Sequence, residues 1–155
     1  MVTLYDILCI TYITTMIETI GGLCEFAKSK GYTNENIELI KQAHVIASEY
    51  SSGKTRYRKP KRPFLHHLIS VSAILMTAGA NIETVVAGLL HSVNDDMPRI
   101  YALNQTVGAI VDGCFDITVG PIEITSFQSL SLVKSAIITI QMANTADMIL
   151  AKELA

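Results

Sequence analysis

Tryptophan is absent from this sequence, and charge is scarce: Asp, Glu, Lys and Arg make up 17% of its 155 residues, against 50% hydrophobic. Soluble domains usually carry about 25% charged residues. The apolar surplus has to be covered, and a subunit interface covers it most simply, so a homo-oligomer (a dimer or higher) is expected. Cysteine is sparse too. Cys9, Cys24 and Cys114 are odd in number and far apart, with no CxxC and no zinc spacing, which excludes a zinc knuckle and points to reduced thiols in a cytoplasmic protein. No period-2 alternation runs beyond a few residues, so a β-fold is excluded. There is no internal repeat and no low-complexity segment. The apolar stretch from Met1 to Gly22 has no basic region before it and is interrupted by Asp6 and Glu18. This argues against a signal peptide and a membrane span, and for a buried helix.

What remains reads as helices. A chain of this length is one domain, 1–155. Leu4, Leu8, Ile13, Ile17 and Ile20 recur at helical spacing and define an N-terminal helical extension over 1–30. Gly21-Gly22 are expected to interrupt it before a helix over 23–30. Gly31 stops that helix, and Thr33 or Asn34 caps the next, which carries Ile37, Ile40, Ala43, Ile46 and Ala47. Ser51-Ser52-Gly53 ends it. Pro60 and Pro63 keep the following stretch non-helical. A helix over 64–78, a turn at Gly79, and a helix capped by Asn81 with Glu83 in its first turn come next. Pro98 suits a first helical turn. The segment to Cys114 is helical, with an irregularity near Asn104. Residues 116–125 hold Gly120-Pro121 and read as a loop, and a last helix spans about 126–154. The fold class is an all-α bundle of six or seven helices.

The stretch from Arg56 to Asp96 concentrates the chemistry. Lys54, Arg56, Arg58, Lys59, Lys61 and Arg62 are six of the 12 basic residues; the other six face all 14 acids. Six positive charges in one loop raise the local concentration of anions. The same loop has only Tyr57 as an interleaved aromatic, which argues against a nucleic-acid surface. His67 and His91 follow, 24 residues apart, each on an apolar helix. His44 and His66 read as surface residues.

Arg58-Lys59, Pro63-Phe64-Leu65, His67, then Val71, Ile74 and Leu75, followed by Val86-Ala87-Gly88-Leu89-Leu90-His91 and later Ile110-Val111-Asp112-Gly113, form a pattern. It resembles the HD-type hydrolase domain of the RelA/SpoT family, which removes the 3′-pyrophosphate of the alarmone ppGpp. The resemblance runs from about Ile37 to the C-terminus and implies an HD-domain-like helical bundle, with 31–155 as its core and a short C-terminal end.

That family's metal site uses a His, a His-Asp pair and a later Asp. His67 and His91 match its two histidines, and Ser92 stands where the paired Asp would be. In one register Asn144 replaces the later Asp; in a second, Ala146-Asp147 restores a carboxylate. Two imidazoles with neutral partners suit manganese, the family's usual ion, poorly. No cofactor is therefore expected, or Mn²⁺ or another divalent ion if the site survives. Asp95 and Asp96 match the family's Glu-Asp pair, which helps place the attacking water. Arg58, with Lys59, Lys61 and Arg62 beside it, matches the guanidinium that meets the base and phosphates, a role suited to a planar guanidinium. The expected function is an HD-like protein that binds a nucleotide or other phosphate-bearing ligand without efficient catalysis. An active metal-dependent phosphohydrolase using His67, His91, Asp147 and Asp95 or Asp96, and an oligomeric scaffold without a ligand, are the alternatives.

Overall fold

Thr33 shows how this chain starts its helices. Its hydroxyl accepts from the Asn36 N–H, 3.1 Å, and the Asn36 side chain accepts from the Thr33 N–H, 3.2 Å. This reciprocal pair satisfies two donors that a helix start would otherwise leave open. Asn81 does the same work further along, accepting from the Thr84 N–H at 2.9 Å. The computed structural model describes residues 3–4, 17–54, 63–115 and 127–153, and within the last stretch the side chains of Leu132 to Asp147. The described residues form seven helices and no sheet: α1 Ile20–Ser29, α2 Asn34–Ser51, α3 Phe64–Thr77, α4 Ile82–Leu90, α5 Met97–Leu103, α6 Gln105–Phe115 and α7 Phe127–Glu153.

Two expectations shift. Gly21 and Gly22 do not interrupt a helix; they lie in the first turn of α1, because Thr19 caps it from just ahead by accepting from the Gly22 N–H at 3.0 Å. The irregularity near Asn104 is a full break. Asn104 is extended at φ −166° and ψ 125°, and its side chain accepts from the Val107 N–H to start α6. The 116–125 loop and most of the expected first helix lie outside the described residues, as does Cys9.

The centre of the bundle is α4. It touches α2, α3, α6 and α7, and every residue from Thr84 to Leu90 is buried. It lies close against α3 at Gly88, where an added Cβ would stand 2.3 Å from Leu75 Cδ1. Ser72 on α3 donates to the Val85 carbonyl at 2.9 Å and fixes the same pair. The turn joining them takes Gly79 at φ +75°, which favours glycine. Gly88→Ala is therefore expected to cost about 1–3 kcal/mol by overpacking, read as a lower urea midpoint at unchanged slope. An unchanged midpoint would refute this contact.

Along α7 the apolar seam is regular. Val133, Ala136, Ile137, Ile140 and Ala143 are buried, and the next position on that face, Asp147, is buried with them. This periodicity carries a carboxylate into the core. The opposite face leaves Leu132, Ile138 and Met142 at 62%, 59% and 68% exposure.

Candidate functional site

Two crossing helices deliver the histidines. His67 lies one turn into α3 and is buried. His91 is the C-cap of α4 and is half-buried. Their ring centroids are 5.5 Å apart and the planes meet at 68°. Phe64, the first residue of α3, tilts against His67 at 5.7 Å, and Tyr50 from the end of α2 meets Phe64 edge-on at 6.3 Å. The Lys54 ammonium caps this run, 3.4 Å from the Tyr50 centroid. A line of rings thus leads from the start of the basic loop to the histidine pair.

Helix α7 closes the pair from the other side. Asp147 Oδ2 is 2.5 Å from His67 Nδ1, with both side chains at 0% exposure. His91 Nδ1 is 2.6 Å from the Gly88 carbonyl, and His91 Nε2 is 3.3 Å from Asn144 Oδ1. A carbonyl oxygen only accepts, and so does an ionised carboxylate, so each Nδ1 carries the donated hydrogen. The sequence offered Asn144 and Asp147 as alternative registers. The structure brings both to the pair, Asn144 to His91 and Asp147 to His67, because residues three apart share a helix face.

Ser92 follows His91 in the turn after α4 and is half-buried. Asp95 is exposed and Asp96 half-buried; they line a cleft of about 190 Å³ with Ile46, Glu49, Tyr50 and Val93. Arg99 donates to Glu49 at 2.5 Å and reaches Asp96 at 3.4 Å. The Arg99 hydrogen bond holds the Glu49 carboxyl below its usual range, and Glu49 in turn raises the Arg99 guanidinium. These groups are exposed, so the network contributes little to stability; its consequence is to tie Asp96 to a cation. Glu49, Tyr50 and Arg99 were not singled out from sequence, since nothing local marks residues that meet only through the fold.

Arg58, Lys59, Lys61 and Arg62 lie outside the described residues; of the six basic loop residues only Lys54 is described. His66 is half-buried, and so is His44, which lines a groove between α1 and α2 with Cys24, Lys28 and Lys41. Burial lowers the His44 pKa from its ordinary value, so the surface reading of that residue is corrected. Burial also raises both thiols, Cys24 and Cys114, the latter up to about 12.

The donor set does not fit manganese. Among the described residues no group of three or more His, Cys, Asp or Glu stands together as a metal cage. A hard ion is held by carboxylates, carbonyls and water, and the positions expected to supply carboxylates hold Ser92 and Asn144. Two donors on one ion, each at about 2.0–2.2 Å, stand roughly 3 Å apart or more. The 2.5 Å between Asp147 and His67 is therefore a hydrogen bond, not an edge of a coordination shell.

Fold and site together define an all-α domain with a histidine pair held between three crossing helices. No family model matches the chain. It is 30% identical over 84 residues to the bifunctional (p)ppGpp synthase/hydrolase SpoT of Escherichia coli, over 51% of this chain and 12% of that protein. It is 34% identical over 64 residues to a guanosine-3′,5′-bis(diphosphate) 3′-pyrophosphohydrolase of Vibrio cholerae, over 41% and 9%. It is 31% identical over 87 residues to a probable GTP pyrophosphokinase of Mycobacterium leprae, over 53% and 11%. The chain is thus distantly similar to RelA/SpoT-type proteins over about half of its length, which supports an HD-like domain of that type. It spans about a tenth of the length of these curated relatives. Among the described residues no helix is long and apolar enough to cross a membrane.

Proposed function

We propose that this HD-like domain binds a guanine nucleotide or a related phosphate-bearing ligand and does not release pyrophosphate from it with manganese. One observation carries the reading: the two histidines stand together with Asn144 beside His91 and Asp147 hydrogen-bonded to His67, and the resemblance puts Ser92 and Asn144 at carboxylate positions. Without those carboxylates a phosphate meets less negative charge in the pocket, and the basic residues from Lys54 to Arg62 can meet it directly. The relatives' names, which concern guanosine bis(diphosphate) and GTP, supply the ligand class.

Calorimetry with guanine nucleotides in EDTA tests this. Binding is expected to persist without metal and to weaken with salt, since exposed charges are screened over about 10 Å at 0.1 M. Arg58→Ala should weaken it about tenfold or more, the value of a charge-assisted contact. Lys54→Ala should cost less, because the Lys54 ammonium is already placed on the Tyr50 ring. Equal affinities for the wild type and Arg58→Ala would show the site is elsewhere. An active metal-dependent phosphohydrolase is the second reading, favoured by the Asp147 carboxylate in the pair, and manganese-dependent turnover separates the two.

A further inference from the structure

The outward face of α7 is apolar where a surface helix usually carries charge. Leu132, Ile138 and Met142 are 62%, 59% and 68% exposed. Between Leu132 and Asp147 the only charged residues are Lys134 and Asp147, and Asp147 is buried. A helix with an apolar seam on one side normally sets charged residues on the other; here a second seam stands in their place. Ser135, Ile138, Met142 and Thr145 are all exposed and follow one another at intervals of three, four and three residues. That is the spacing by which two helices pack along a common line.

We infer that this face is an interface between two copies of the chain, with α7 packed antiparallel on α7 of a second copy about a two-fold axis level with Ile140. A two-fold interface sets one surface against itself, and this surface is self-complementary. In that register Ile138 of one copy meets Met142 of the other, and Ser135 meets Thr145, so each layer pairs residues of similar size. Lys134 chooses the direction. Parallel helices would bring the two Lys134 ammonium groups to one level. Antiparallel helices separate them by roughly 18 Å along the axis, beyond the screening length of about 8 Å at physiological salt. Helix α7 has 27 residues, about 40 Å at 1.5 Å per residue. Two such helices side by side cover on the order of 1,000 Å², the lower limit of a specific interface, so a reversible dimer of micromolar Kd is expected. The same helix turns Asn144 and Asp147 inward to the histidines, so the second copy would back one wall of that site. The inference does not depend on nucleotide binding, which its test omits.

Sedimentation equilibrium of the full chain across the micromolar range tests this, and a monomer–dimer equilibrium is expected. Ile138→Glu and Met142→Lys each put an uncompensated charge into the interface and should raise the Kd at least ~30-fold. Both positions are exposed in the single chain, so the variants should fold, and circular dichroism checks that they do. Mixed in equal amounts, the two variants should regain the dimer mass, because the new carboxylate of one then faces the new ammonium of the other. Val45→Glu changes an exposed apolar residue on α2 and should leave the equilibrium where it was. A wild type that stays monomeric would overturn the interface and leave the face to a different partner. An Ile138→Glu variant that dimerises like the wild type, or an equal loss in Val45→Glu, would overturn it too. A mixture that stays monomeric would overturn the antiparallel register.

Discussion

Asp147→Ala is expected to destabilise the domain by about 3 kcal/mol, the cost of depriving a buried donor of its carboxylate acceptor together with the cavity left behind. Asp147 and His67 are both at 0% exposure and lie 2.5 Å apart. The contact is a polar link between α7 and α3. Deleting the carboxylate leaves a buried Nδ1–H without that acceptor and a cavity beside it, and the two costs act together. Domains of this size have a total stability of roughly 5–15 kcal/mol, so the variant should lose a large share of it. Asp147→Asn retains an oxygen for the Nδ1–H and should lose clearly less. Urea unfolding of both variants measures this, and equal midpoints for Asp147→Ala and the wild type would sink it.

Pyrophosphate release from ppGpp with manganese is the second large effect. The wild type is expected to stay below about 1 per second, the low end of ordinary enzymes. A carboxylate such as Asp95 acts as a base only on a water that is held and acidified, and a manganese ion does this only in a cage that can bind it. Ser92→Asp with Asn144→Asp adds two anionic donors beside His91 and should raise both manganese affinity and rate, the rate on the order of 100-fold or about 2.7 kcal/mol. Wild-type turnover at 1 per second or faster would refute the reading, and a double variant that bound manganese no better would refute the assignment of those positions.

The local rules were legible residue by residue. Thr33, Gly79 and Asn81 act where their side chains or backbone freedom require, because capping and turn chemistry depend on neighbours within about four residues. The all-helical class was legible for the same reason: most of the helices carry their own caps, stops or apolar period. The histidine pair was legible through its motif spacing. What Asn144 and Asp147 do was only half legible. Read as competing registers, they exclude one another; read on a helix, they lie one turn apart and reach different histidines. The tightness at Gly88 and the Glu49–Arg99–Asp96 network were not legible at all. Both depend on which helices lie side by side, and no local pattern encodes that.

The run of rings from Tyr50 to His91 has an optical consequence. With no tryptophan in the chain, the protein is silent to light absorbed only by indole. A tryptophan substituted at Tyr50 would be the sole emitter, seated where the basic loop begins and one ring away from Phe64, which touches His67. The Lys54 ammonium, 3.4 Å from the ring centre in the native protein, would be the charge that sets its colour and brightness. Any anion that drew Lys54 off the ring would be seen as a change in emission, so this contact would also serve as a gauge of anion binding.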